Sequence, residues 1–210
     1  KRYYPGGSLC SHVIGFVGTE NSGLSGIESY YDSGLTGTDG TVVRAKNSAG
    51  TDMLFTNFED YRDAVSGNDH ILTIDSGLQY YLEKHLKQAV KDYDIQNGAA
   101  GIVMDVNTGE ILAMASLDDF DLNDYQAVSD EKMLEILAEP DVEKRAQMLT
   151  DAQQLQWRNK ALSDTYEPGS TFKIITLAMA LEEGAVTTDD TFYCGGSIGV
   201  TGRNTPVKCW

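Results

Sequence analysis

The chain has 210 residues, 41% hydrophobic and 23% charged, enough to bury a core in one large domain or in one domain with a smaller module. Thirty-two acidic side chains against sixteen basic ones leave a formal charge of -16, which repels nucleic acid and anionic lipid and argues against a nucleic-acid role. No run approaches the roughly eighteen apolar residues of a membrane span, and the start Lys1-Arg2-Tyr3-Tyr4-Pro5 lacks a signal peptide's apolar stretch, so any targeting segment is expected upstream.

Residues 1–66 are rich in Gly, Ser, Thr and Tyr, with short apolar alternations such as Val13, Ile14, Phe16 and Val17 that predict short strands and tight turns. A strand-like run from His70 to Ile74 leads into Ser76-Gly77-Leu78-Gln79, a capping-box pattern with Ser76 as the cap. An amphipathic helix is expected next, because Leu78, Leu82, Leu86, Ala89, Val90 and Tyr93 recur at three and four residues while Glu83, Lys84, Lys87 and Lys91 face away.

Two apolar runs, 101–106 and 111–116, flank Asn107-Thr108-Gly109-Glu110 and predict a hairpin whose near-continuous hydrophobicity suits a sheet covered on both faces. Residues 121–157 are acidic and interrupted by Pro140, which predicts two amphipathic helices forming a surface excursion. Tyr166-Glu167-Pro168-Gly169 then breaks the chain. Ser170 opens an almost wholly apolar run that Gly184 ends, so a buried helix is expected with Lys173 in its first turn.

That lysine gives the serine a chemistry. A serine hydroxyl needs a base within reach and backbone donors aimed at the developing oxyanion. Three-residue spacing puts Lys173 on the same helix face as Ser170, and the helix start leaves the Ser170 N–H free to donate. Burial of the lysine would favour its neutral, proton-accepting form. The bare Ser-x-x-Lys pattern is weak, with about one chance match expected in a chain of this length. Ser129-Asp130-Glu131-Lys132 fits it equally and reads as a helix cap with a solvated lysine.

Three cysteines do not make a disulfide framework. Cys194 and Cys209 flank a Gly-rich stretch that either a disulfide or a short hairpin with two reduced thiols accommodates. Cys10 is expected as a small buried residue without a catalytic role.

Tyr166-Glu167-Pro168-Gly169-Ser170-Thr171-Phe172-Lys173 resembles the active-serine signature of class B penicillin-binding proteins, whose wider group opens its motif set with Ser-x-x-Lys. Arg2-Tyr3-Tyr4-Pro5, Gly15, Gly23-Leu24-Ser25-Gly26-Ile27-Glu28 and Leu35-Thr36-Gly37 with Gly40 resemble the blocks of that family's pedestal module. Leu72-Thr73-Ile74-Asp75 with Leu78-Gln79, and Thr108 to Ala115, resemble the entry to its transpeptidase domain. The stretch from Cys194 to Trp210 looks most like relatives from spore-forming Gram-positive bacteria, including the sporulation-specific branch.

The resemblance implies an α+β chain: a small β-rich pedestal module over 1–66, with Arg2, Pro5, Gly26 and Glu28 in its motif, then over 67–210 the first part of a helix-sheet-helix transpeptidase domain. It implies a peptidoglycan D,D-transpeptidase in which Ser170 forms an acyl-enzyme and Lys173 handles the proton. Stem peptides and β-lactams would be its ligands and cell-wall assembly, division or sporulation proteins its partners, with no metal or organic cofactor. The parent protein is expected on the extracytoplasmic face of the membrane, anchored by an upstream helix. The family's later motifs, Ser-x-Asn and Lys-Thr-Gly, do not occur between Lys173 and Trp210, so the segment alone is expected to be inactive. Alternative readings are a β-lactam-sensing receptor domain, a class D-like β-lactamase, or a non-catalytic pedestal interaction module. The pedestal-like residues weigh against the first two. An Arg2–Glu28 ion pair is expected, since an unpaired buried charge is costly.

Overall fold

The computed structural model describes residues 2–44 and 59–209; Lys1 and residues 45–58, which the sequence reading places in the pedestal module, and Trp210 at the end of the second cysteine's segment, lie outside the described residues. The chain forms two compact units, residues 1–164 and 165–210.

The first unit begins with turns. Three short helices, α1 (Ser11–Ile14), α2 (Gly26–Tyr30) and α3 (Asp32–Leu35), occupy much of the stretch whose alternation predicts strands. One antiparallel hairpin follows, β1 (Thr41–Arg44) with β2 (Glu59–Arg62), in register Val42 to Tyr61. The alternation misleads because Ile14 and Phe16 reach the core from the end of a short helical turn: Cys10 enters α1 at φ 58° and Gly15 leaves it at φ 74°. No side chain fits at Gly15, where a Cβ would lie 1.9 Å from the Ser25 carbonyl oxygen. That close approach lets α1 and α2 pack together.

The long helix α4 (Ser76–Asp92) forms as its periodicity predicts, but its cap is Asp75, whose carboxylate accepts the Leu78 N–H at 2.8 Å. Gln79, expected to reach back to the cap, is instead wholly buried. Its amide donates to the Met114 carbonyl and accepts the Met114 N–H, both at 2.9 Å, and so pairs with one strand residue as a neighbouring strand would. That strand is β4 (Ile111–Ser116), antiparallel to β3 (Ala100–Met104) in the expected hairpin. Residues 70–74 form no strand, yet Thr73 Oγ1 and Asp75 N donate to the carbonyls of Ile111 and Leu112 and dock the segment on β4. The sheet is covered on one side by α4; the short helix Lys160–Ser163 also packs on both strands, but Ile102 and Met104 stay about half exposed, so the expectation of two covered faces is met only in part in this unit.

Pro140 separates α5 (Asp130–Ala138) from α6 (Val142–Trp157), as expected. Their outer faces are solvated. The segment is nonetheless more than a surface excursion, because Leu122 and Ile136 are buried and Trp157 packs on the core. That core joins Tyr4 and Phe16 to Phe120 and Leu122, with Tyr125 stacked on Phe16 at 4.1 Å and Trp157 tilted against it at 5.0 Å. The short helix α7 (Lys160–Ser163) ends the unit, with Lys160 Nζ donating to the Leu117 carbonyl at 2.6 Å.

In the second unit a 3-10 turn (Gly169–Phe172) runs directly into α8 (Lys173–Glu182), followed by a small hairpin of β5 (Ser197–Ile198) and β6 (Val207–Lys208). Gly184, at φ 62°, ends α8 in a Schellman pattern, with Gly184 N–H on the Leu181 carbonyl and Ala185 N–H on that of Ala180. The helix is not buried as its apolar composition predicts: Ile174, Leu177 and Met179 are 75, 57 and 60% exposed. Among the described residues of this unit only the 3-10 turn and a small hairpin accompany the helix, too little surface to cover an apolar cylinder.

Two outcomes follow for the first unit. Glu83, itself buried, accepts the Cys10 N–H at 2.8 Å and the Gln79 amide at 2.7 Å on one oxygen. Glu83→Ala leaves the Cys10 N–H and one of the two Gln79 amide hydrogens unpaired and is expected to lower unfolding stability by roughly 1–3 kcal/mol, with Glu83→Gln losing less, in urea melts. His12 is buried, with Nε2 at 2.9 Å from the Gln156 carbonyl and Nδ1 against Ser11 Oγ. Burial holds its pKa below the ordinary 6.5; Lys160 adds to the depression, while the Gln156 carbonyl and the carboxylates of Asp119 and Asp118 oppose it. The unfolded chain therefore takes up this proton first as pH falls, so the His12 contribution is intact above pH 6.5 and is lost progressively below it. Melts from pH 7.5 to 5 are expected to show that loss in the native protein and a flatter profile in His12→Asn.

Candidate active site

Ser170 lies inside the 3-10 turn, not at the first residue of an α-helix, and Lys173 is both the end of that turn and the first residue of α8. The difference improves the alignment. A 3-10 turn has three residues per turn, so side chains at i and i+3 eclipse each other, and the Lys173 N–H donates to the Ser170 carbonyl and stacks the two residues. Gly169 allows this entry because it sits at φ 54°, where a side chain would be strained. Thr171 braces the turn from the other side, its N–H and hydroxyl both directed to the Pro168 carbonyl at 3.2 and 2.6 Å.

Ser170 and Lys173 are both exposed, and no hydrogen bond joins hydroxyl to amine. The desolvation expected at Lys173 is therefore not realised within this unit. Among the described residues the Ser170 N–H makes no main-chain hydrogen bond and stays available to an acceptor. The turn thus brings a hydroxyl, an amine one turn on and an amide N–H close in sequence, the kinds of group that acyl transfer requires.

The competing serine sits differently. Ser129 Oγ accepts the Lys132 N–H at 3.3 Å as the cap of α5, and Lys132 Nζ pairs with Glu135 at 2.8 Å. Hydroxyl and amine are both occupied with helix structure.

The expected pedestal pair is present: Arg2 Nε lies 2.8 Å from Glu28 Oε1 and Nη2 donates to Oε2 at 2.9 Å, a two-pronged contact on a buried carboxylate. Burial first, then the charge of Glu28, pushes the Tyr4 hydroxyl up to about 12. Gly26, at φ 57°, would bring a Cβ within 2.5 Å of the Val13 carbonyl oxygen, which accounts for a glycine there. Pro5 opens the turn in which the Gly7 N–H returns to the Tyr4 carbonyl. Cys10 is buried as expected, and burial, reinforced by Glu83, pushes its thiol up to about 12, the opposite of a reactive cysteine. Sequence reasoning missed Gln79, Glu83 and Asn123, the polar side chains that join distant segments. Asn123 pairs with both main-chain groups of Tyr4, at 3.0 and 2.8 Å.

Cys194 and Cys209 are exposed free thiols at the two ends of the β5–β6 hairpin. The Cys209 N–H donates to the Gly196 carbonyl at 2.9 Å, which closes the ends together. The Gly196 N–H, then the Cys209 thiol, hydrogen-bond to Cys194 and lower its pKa below the ordinary thiol value.

Residues 99–210 match the penicillin-binding protein transpeptidase domain, and residues 1–72 match the penicillin-binding protein dimerisation domain. Stage V sporulation protein D of Bacillus subtilis is 40% identical over 210 residues, all of this chain and 28% of that protein. Peptidoglycan D,D-transpeptidase FtsI of Escherichia coli is 31% identical over 188 residues, 89% of this chain and 27% of that protein. The chain thus spans little more than a quarter of the length of these curated relatives. Penicillin-binding protein 3 of Mycobacterium tuberculosis, solved in complex with aztreonam, superposes with a TM-score of 0.68 at 29% identity, covering 99% of this chain and 37% of that one. Two domain matches, relatives aligned along the chain and a shared fold agree: the chain belongs to the penicillin-binding protein family, in its class B branch, with residues 1–72 matching the dimerisation domain and residues 99–210 matching the transpeptidase domain.

Proposed function

We propose that the parent protein is a peptidoglycan D,D-transpeptidase that uses Ser170 as nucleophile and Lys173 as its proton acceptor. The observation that carries this reading is the 3-10 turn that stacks Lys173 on Ser170 within the matched transpeptidase residues. In the proposed reaction Ser170 Oγ attacks the carbonyl of the penultimate D-Ala of a stem peptide while its proton passes to the neutral Lys173 amine. The Ser170 N–H donates to the oxyanion. Collapse breaks the peptide C–N bond, and the departing D-Ala nitrogen takes up the proton that Lys173 received. An amine of a neighbouring stem peptide then attacks the acyl-serine, forms the cross-link and returns the hydroxyl. β-Lactams acylate the same oxygen and stop there.

The dimerisation-domain match over residues 1–72 favours a cell-wall synthase over a β-lactam sensor or a β-lactamase. Its place of action is the outer face of the membrane, where stem peptides are, and no helix among the described residues is long and apolar enough to cross a membrane. We assign the N-terminal module a docking role toward other cell-wall assembly proteins.

Fluorescent penicillin tests the assignment. The full-length protein and its Ser129→Ala variant are expected to label, and Ser170→Ala is expected to stay dark; labelling lost in Ser129→Ala instead would identify the other serine as nucleophile. Residues 1–210 alone hold neither Ser-x-Asn nor Lys-Thr-Gly after Lys173. They are expected to label at least about a hundredfold more slowly, the usual cost of one lost oxyanion donor.

We also propose that Cys194 and Cys209 pair under oxidising conditions, since the lowered pKa of Cys194 makes it the attacking thiolate and Cys209 already contacts it. Mass spectrometry of non-reduced peptides from protein treated with oxidised glutathione is expected to find the 194–209 cross-link. Glutathione adducts on each cysteine without the cross-link would refute the pairing.

A further inference from the structure

A cleft of about 800 Å3 opens along the seam between the two matched domains. Tyr3, Thr19 and Asn21 line it from the dimerisation-domain side, and Asn123, Asp124 and Tyr125 from the transpeptidase side. Ligand sites favour such domain junctions. Its floor is fixed by the buried residues Tyr4 and Leu122, and Tyr125 is held in place by its stacking on Phe16.

The chemistry of the lining restricts what can bind. A peptide added as an extra strand needs a continuous run of free main-chain donors and acceptors, and the run is broken at Tyr4, Val17 and Gly18. Asn123 occupies both groups of Tyr4, the Val17 N–H donates to Tyr4 Oη at 3.2 Å, and the Gly18 N–H donates to the Ser22 carbonyl at 2.8 Å. A polyanion is disfavoured by Asp124, by the -16 charge of the chain and by the engagement of Arg2 with Glu28. An apolar ligand would strand the polar rim without partners. What remains free is side-chain chemistry: Thr19, Asn21 and Asp124 are exposed and their side chains make no hydrogen bond among the described residues, and the Tyr3 ring is 74% exposed. An open aromatic face beside hydroxyl, amide and carboxylate groups suits a neutral polyhydroxylated ring, with apolar C–H faces to lie on tyrosine and hydroxyls to pair at the rim.

We propose that this cleft binds the N-acetylated glycan strand of peptidoglycan, so that one ligand spans the dimerisation and transpeptidase domains. The choice of this glycan among neutral saccharides rests on the proposed function; the saccharide chemistry of the cleft does not.

The test uses the full-length protein and the N-acetylglucosamine tetrasaccharide, titrated by calorimetry. Saturable binding is expected, weakened at least tenfold in both Tyr3→Ala and Asp124→Ala, while their unfolding midpoints and fluorescent-penicillin labelling match the native protein. Tyr3→Trp provides a second reading that does not depend on those variants folding, since its indole fluorescence is expected to shift on titration. No binding up to about 10 mM saccharide, weaker than any useful affinity on this scale, overturns the proposal. So does binding that neither Tyr3 nor Asp124 affects, or an indole that does not respond. Penicillin labelling fails independently: a protein that binds saccharide but never labels refutes the transpeptidase reading and leaves the cleft standing.

Discussion

Phe16 is 2% exposed and touches Phe120, Tyr125 and Trp157, three rings that enter the chain more than a hundred residues later. Burying one such side chain contributes about 1.5–3 kcal/mol, and the ring-to-ring geometry adds to that. The consequence is architectural. The N-terminal module cannot rotate freely on the first part of the transpeptidase domain, because the residue that ends its first turn is inside the core of both. Gly15 permits this, since any side chain there would strike the Ser25 carbonyl and push α2 off α1.

Around that apolar centre, polar side chains finish the join by imitating main chain. Gln79 pairs with both groups of Met114, and Asn123 with both groups of Tyr4. Buried amides and carbonyls need partners, and a carboxamide offers a donor and an acceptor in the spacing of a peptide group. Glu83 extends the first network to Cys10. The ordered floor of the seam cleft is a by-product of the second, because the Tyr4 backbone is held while the rim side chains remain unpaired.

The Ser170 turn is organised differently. Its geometry is local: Gly169 sets the entry, Thr171 braces the turn and the Lys173 N–H closes it. None of this needs a tertiary partner, so the turn holds its shape while the apolar residues of α8 remain open to solvent. The electrostatics of the pair depend on surroundings, because a lysine amine becomes a base only where its charged form is disfavoured. Shape and reactivity thus come from different levels of structure.

From the sequence alone came what spacing controls. Three- and four-residue recurrence located α4, the apolar runs around Asn107–Glu110 located the β3–β4 hairpin, Pro140 located the break between α5 and α6, and the Ser-x-x-Lys spacing picked out the Ser170 turn as a candidate. Resemblance chose between Ser170 and Ser129, which spacing alone could not separate. The short helices of the first 35 residues escaped, since four or five residues hold no helical period to read and their apolar positions alternate as a strand's do. Only the tertiary structure could decide that Gln79 is buried and not a capping residue, that Asn123 serves Tyr4, or that His12 meets the Gln156 carbonyl. Those partners lie 35, 119 and 144 positions apart. Local pattern carries no information at such separations; packing of the intervening elements alone brings the groups together.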